Sequence, residues 1–191
     1  MENESNTTRG NSTLPVWDWG VRLLHWSLAI AIGVAWFNSS DSVGSLHEIA
    51  GYVAAGVVIV RMGWGLMYGR RSARLSRCLR FPQQLPTYLR RMMEKRERRY
   101  LGHNPLGSIM VVALLICVAF ACFTGWLFTT DRFWGYGWLS TLHEVLAWSI
   151  VVLVIIHVVG VLFTALRHRE SLVIAMITGN KLRRVKPHST N

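Results

Sequence analysis

The chain has 191 residues, 51% of them hydrophobic against 16% charged, with nine tryptophans and a mean hydropathy of +0.29, a balance that excludes an ordinary soluble domain. A formal charge of +11 would suit a nucleic-acid binder. The basic residues are concentrated in two segments, however, and membrane topology explains that placement without nucleic acid.

Residues 1–15 are rich in Asn, Ser and Thr and are expected to be disordered. The polar start and the full-length first apolar run argue against a cleaved signal peptide, so the first helix is expected to stay. VWDWGVRLLHW (16–26) leads into helix 1, with Trp17, Trp19 and Trp26 as interfacial aromatics and Arg22 placed to snorkel to headgroups. The uncharged run 23–40 ends near Asn38. Helix 2 is predicted from about Ser45 to Tyr68, interrupted by Glu48 and Arg61. Residues 69–103 follow, with eleven Arg or Lys against Glu94 and Glu97. Within them RFPQQLPTYLRRMMEKRERR predicts a short basic amphipathic helix lying on an anionic membrane surface.

In GHNPLG (102–107), Asn104 is a predicted cap and Pro105 a first-turn residue of helix 3, which runs to about Phe128. A short loop with Trp134, Tyr136 and Trp138 supplies aromatic-belt residues before helix 4, predicted at about 140–166. From Arg167 onward the chain holds six Arg or Lys against Glu170, and residues 181–191 form a basic tail. Each apolar run approaches or exceeds the roughly 20 residues needed to cross about 30 Å of hydrocarbon. The expectation is an all-α, integral membrane four-helix antiparallel bundle over residues 16–180. The positive-inside rule puts both termini and the long basic loop in the cytoplasm. Cys78, Cys117 and Cys122 form no C-x-x-C, and no C-x-x-C-H is present for covalent haem attachment, so they read as reduced and structural.

LHEIAGYVAAGVVIVR (46–61) aligns without gaps to LHEVLAWSIVVLVIIH (142–157), both opening Leu-His-Glu. His143 and His157 are fourteen residues apart, about 21 Å of helical rise, and the 100° step per residue leaves them on one face. His25 matches His157 in depth, and His47 matches His143. Imidazole at lipid depth is costly without a partner, and it ligates Zn, Cu, Fe and haem iron. The separation rules out one shared ion, and two histidines are too few for a bare metal. A porphyrin supplies four nitrogens and asks the protein for two axial ones, so two pairs predict two stacked haem b groups. Singly, each histidine also reads as an interhelical hydrogen bonder.

Arg61 has two readings: a partner for a haem propionate, or a side chain snorkelling to lipid phosphate. Glu48 and Glu144 either bind water and protons or stand exposed at the rim. His103 is a donor for quinone at the inner side or simply a loop residue.

These residues resemble the prokaryotic cytochrome b561 family, in the superfamily of the b-type cytochrome subunits of nickel-iron hydrogenases. The resemblance runs from about Val16 to Lys181, through RLLHW (22–26), LHE…GY…R (46–61), GHNPLG (102–107), TG (124–125), LHE…H (142–157) and HRESLVIAMITG (168–179). It implies four core helices, haem ligands on helices 1, 2 and 4, and the pairs His25 with His157 and His47 with His143. It also implies single-electron transfer across a bacterial inner membrane between the quinone pool and a periplasmic cytochrome c or redox enzyme. The short outer connections leave such a partner to be a separate protein, and a homodimer is a further arrangement. A self-sufficient oxidoreductase, such as the superoxide oxidase of the same family, and a haem-free histidine-lined transporter are the rival classes.

Overall fold

Helix 1 begins where a carboxylate can satisfy its free amides. Asp18 Oδ1 accepts the Val21 N–H at 2.8 Å, and α1 runs over Trp19–Phe37. Asn38 closes it, its side-chain amide donating to Val34 O at 2.7 Å. The computed structural model describes residues 13–15, 18–39, 46–67, 86, 90, 94, 105–168 and 172–182. Its other long helices are α2 (Leu46–Met67), α3 (Pro105–Phe128) and α4 (Gly137–His168). All four are long and apolar enough to cross a membrane.

The outside of this bundle is what identifies its solvent. Ile59 is 72% exposed and Leu166 79%, with Ile30, Phe120, Val152 and Phe163 also exposed along the helix flanks. Water would penalise so large an apolar surface, whereas hydrocarbon does not. The interior uses small residues for close helix approach: Ala31 on α1, Ala50 and Ala54 on α2, Ala121 on α3. At its centre Val58, Leu115, Val118, Ala121 and Ile150 pack together, with Leu28, Ile32 and Leu146 against them. This fold is an all-helical four-span membrane bundle.

α1 packs on α2, α2 on α3 and α3 on α4, while α4 meets α1 and α2 through ring pairs. One end of the bundle carries the α1–α2 and α3–α4 connections and is called the hairpin end below. The other, the termini end, holds the start of α1 and the close of α4. There Trp64 of α2 lies against the start of α1, 6.2 Å from the Trp19 ring. Gly20 makes this approach possible, because a Cβ at that position would stand 2.8 Å from the Trp64 ring. At the hairpin end Trp134, Trp138 and Tyr136 are exposed, where an aromatic belt belongs.

Three features differ from the sequence reading. A short α5 (Leu172–Thr178) follows α4, and Thr13–Pro15 (β1) pairs antiparallel with Asn180–Leu182 (β2). The pairing narrows the segment expected to be disordered, since a strand partner more than 160 residues away leaves no local signal. α4 is also longer at both ends than predicted. Of the predicted amphipathic helix between α2 and α3, Pro86, Arg90 and Glu94 are described. Glu94 N–H donates to Arg90 O at 3.0 Å, and Arg90 Nε donates to the Glu94 carboxylate at 3.0 Å. The remainder of that helix, His103, the Asn104 cap, Trp17 and Cys78 lie outside the described residues.

Candidate functional site

The structure brings the four intramembrane histidines together as two pairs. His47 and His143 face each other at the hairpin end with ring centroids 6.0 Å apart and planes at 76°. His25 and His157 do so at the termini end, 6.4 Å apart and at 55°. Between the two levels lies the packed core of Val58, Leu115, Val118 and Ile150. α4 therefore contributes one histidine to each level, and α1 and α2 contribute one partner each.

At the hairpin end the protein fixes which nitrogen is available. His47 Nδ1 is 2.8 Å from Ala35 O; a carbonyl only accepts, so Nδ1 carries the proton and donates. The lone pair is left on Nε2. His143 Nδ1 lies 2.9 Å from Thr124 Oγ1, whose own proton has the carbonyls of Ala121 at 2.9 Å and Phe120 at 3.0 Å within reach. With that proton given to a carbonyl, the hydroxyl accepts from His143 Nδ1–H, and here too Nε2 keeps the lone pair. A ligand imidazole held by its second nitrogen has this arrangement.

At the termini end no hydrogen bond to His25 or His157 is found among the described residues. His25 instead stands edge-on to Trp26, 5.3 Å between ring centroids, and interacts electrostatically with Arg61. Arg61 is 8% exposed, on the same interior stripe of α2 as Ala50, Ala54 and Val58. Burial to that degree takes its guanidinium away from the lipid-facing surface. Arg22 Nε, Asp18 Oδ2 and Ser108 Oγ, from helix segments at this same end, are buried and have no hydrogen-bond partner among the described residues. Buried polar atoms of this kind call for a polar group of a ligand or water. Arg22 as a whole is half-buried, with Nε but not its terminal nitrogens among these atoms.

The pairs suit one class of cofactor. A metal–imidazole nitrogen bond is about 2 Å, so two of them back to back, with the half-width of each ring, put the centroids about 6 Å apart. Rings sharing one ligand axis are free to differ in rotation about it, which accommodates both interplanar angles. No cluster of three or more His, Cys, Asp or Glu able to hold a bare metal occurs among the described residues. A haem, bringing its own equatorial nitrogens, needs only the two that each pair offers.

Comparison with known proteins decides the class. The family model of prokaryotic cytochrome b561 matches residues 16–179, which is most of the chain. The chain belongs to the prokaryotic cytochrome b561 family. A probable Ni/Fe-hydrogenase B-type cytochrome subunit of Rhodobacter capsulatus is 27% identical over an alignment 219 positions long, gaps included, covering 91% of this chain and 83% of that protein. A similarly described subunit of Bradyrhizobium diazoefficiens is 23% identical over an alignment 215 positions long, covering 90% of this chain and 87% of that protein. No solved structure matches significantly. This member of the cytochrome b561 family is a membrane b-type cytochrome, an electron-transfer protein that uses haem b.

Among the remaining candidates, Glu144 is exposed and lines a shallow groove of α4 with Val145, Trp148, Ser149 and Val152, while Glu48 is half-buried. Cys117 and Cys122 are free thiols; Cys117 Sγ donates to Leu146 O at 3.6 Å, a packing role between α3 and α4. Thr124 and Ala35 were not singled out from the sequence by any chemical argument. Thr124 carried a signal: it is a hydroxyl in an apolar span, four residues before the hairpin end of α3, at a depth close to that of His143. A backbone carbonyl such as that of Ala35 carries none.

Proposed function

We propose that this cytochrome holds two haem b groups, one between His25 and His157 and one between His47 and His143. In this reading it passes single electrons across the bacterial inner membrane, between a redox partner on the periplasmic side and the quinone pool. The observation that carries the reading is the pair of facing imidazoles at each of two levels, 6.4 and 6.0 Å between centroids. The basic connection at 69–103 and the basic tail support a cytoplasmic termini end, and the hairpin end is then periplasmic.

The bound haem supplies one-electron chemistry at iron; the protein supplies holding, orientation and dryness. His47 and His143 present Nε2 because Ala35 O and Thr124 hold their Nδ1 protons. With a histidine of each pair on either side of a haem, small molecules would be kept from direct ligation. Arg61, buried at the termini end, offers a guanidinium fork to a propionate of the cofactor there, and its positive charge favours the reduced state of that centre. Val58, Leu115, Val118 and Ile150 fill the layer between the levels and exclude water from it.

The hydrogenase-subunit names of the relatives support a second feature of the reading, that the periplasmic partner is an enzyme subunit docked on this chain as a membrane anchor. The test is redox titration of the detergent-purified protein with a haem assay. The expected result is two haem b per chain, resolved as two one-electron components, with electron delivery to a soluble quinone analogue. One haem per chain, or none, overturns the reading.

A further inference from the structure

We propose that Thr124 is a positioning residue for the hairpin-end centre: its buried hydroxyl takes the Nδ1 proton of His143, fixes the tautomer and orientation of that ring, and lowers the reduction potential of the haem that His143 ligates. The inference rests on the bis-histidine reading above.

Helical threonines and serines ordinarily return their hydroxyl to a carbonyl one turn back. Thr141, Thr164 and Ser149 do so here on exposed surfaces, with no further hydrogen bond to their hydroxyls among the described residues. Thr124 differs in two respects. It is 3% exposed, and its oxygen has a side-chain partner as well as carbonyls, lying 2.9 Å from His143 Nδ1. A hydroxyl has one proton and two lone pairs. With the proton on Ala121 O or Phe120 O, a lone pair is aimed at the imidazole, and the donated bond makes that oxygen a better acceptor. The backbone of α3 thus polarises the group that receives the Nδ1–H.

The next residue completes the seat. Gly125 leaves room for the ring: a Cβ there would lie 3.2 Å from His143 Cε1 and 3.7 Å from Nδ1, close enough that the imidazole or the helix would have to give by a few tenths of an ångström. Thr124 therefore supplies the acceptor and Gly125 the space, on consecutive residues of α3. An acceptor on Nδ1–H raises the electron-donating power of the ring. A stronger donor favours ferric over ferrous iron, so the potential falls. A neutral hydroxyl achieves this at less cost than a buried carboxylate, whose charge would need its own partner. The His25–His157 pair has no such acceptor among the described residues, so the effect is confined to one of the two centres.

The experiment compares the full-length wild-type protein with Thr124→Val, Thr124→Ser and Gly125→Ala by spectroelectrochemical titration and by electron paramagnetic resonance of the oxidised form. Thr124→Val should keep both haems, raise one of the two midpoint potentials, leave the other unchanged, and alter the low-spin signal of one haem. Thr124→Ser, which keeps the hydroxyl, should leave both potentials at the wild-type values. Gly125→Ala keeps the hydroxyl but crowds the ring, lengthening its bond to Thr124, and should raise the same midpoint by less than Thr124→Val does; this comparison stands even if Thr124→Val fails to assemble. Unchanged midpoints in Gly125→Ala or in assembled Thr124→Val would overturn the proposal, as would a shift in Thr124→Ser equal to that in Thr124→Val. Wild-type protein lacking two haem components would instead overturn the bis-histidine reading, before any variant is compared.

Discussion

At the hairpin end both imidazoles spend Nδ1 on the protein, His47 on Ala35 O and His143 on Thr124, whereas at the termini end His25 meets the Trp26 ring, the His157 ring and the field of Arg61. The hydrogen bonds of the hairpin end also tie neighbouring helices in series. Ala35 with His47 joins α1 to α2, Tyr52 with Thr129 joins α2 to α3, and Thr124 with His143 joins α3 to α4. At the termini end Trp64 sits over Gly20 and against Trp19. On the proposed reading, with a haem at each level, the acceptors at the hairpin end would enrich their ligands in electron density and the buried cation at the other level would favour the reduced state, so the termini-end centre would be the better electron acceptor and flow toward it would be downhill.

The largest effect that tests this contrast is loss of a ligand. His143→Ala and His25→Ala should each halve the haem content per chain, and the component that survives should differ between them. A haem assay with redox titration reads both; identical surviving potentials would remove the contrast, and full haem content in either variant would break the pairing. Next in size is Arg61→Gln. Unit charges 4 Å apart interact by about 4 kcal/mol at an effective dielectric of 20, which bounds what this guanidinium contributes from within the bundle. Its loss should lower the midpoint of the termini-end centre alone, and Arg61→Lys should restore most of it. Equal movement of both midpoints would show that Arg61 acts on the whole protein.

The helices were legible because lipid imposes a length on every span, and Pro105 and Phe128 bound α3 where the sequence placed them. The histidine pairs could be anticipated for the same reason: depth along a membrane helix is a count of residues, and two pairs of counts matched. What the count misses is everything set by an angle or by backbone. Nothing in the letters marks Ala35 O as the acceptor for His47, and the hydroxyl of Thr124 looks like that of Thr141 until α4 is packed beside it. α5 has seven residues, too few for a periodic pattern to stand out, and the β1–β2 pairing depends on the two ends of the chain meeting.

Packing at the termini end is tested by Gly20→Ala. The added methyl would stand 2.8 Å from the Trp64 ring, so the indole or the start of α1 has to move. Overpacking of this sort costs about 1–3 kcal/mol. The expected result is a lower thermal midpoint together with a changed spectrum for the termini-end centre. A changed spectrum for the hairpin-end centre instead would mean that the two levels are mechanically coupled through α1.

The smallest effect belongs to Tyr52, and it separates the hydrogen bonds that tune a ligand from one that only joins helices. Its hydroxyl meets Thr129 Oγ1 at 3.3 Å on an exposed surface, and Thr129 already donates to Trp126 O at 2.8 Å, so the tyrosine is the donor in this pair. Tyr52→Phe removes that donor and keeps the ring. A neutral bond is worth about 0.5–1.5 kcal/mol net, and the length and exposure of this one put it at the low end. The thermal midpoint should therefore fall by little, and neither redox midpoint should move, because Tyr52 touches neither His47 nor His143 through a hydrogen bond. A redox shift comparable to that of Thr124→Val would mean that the series of ties acts as one unit, with the seat of His143 depending on how firmly α3 is held to α2. The acceptor at Thr124 would then be one part of a wider clamp, and the contrast between the two ends would lie in rigidity more than in ligand chemistry.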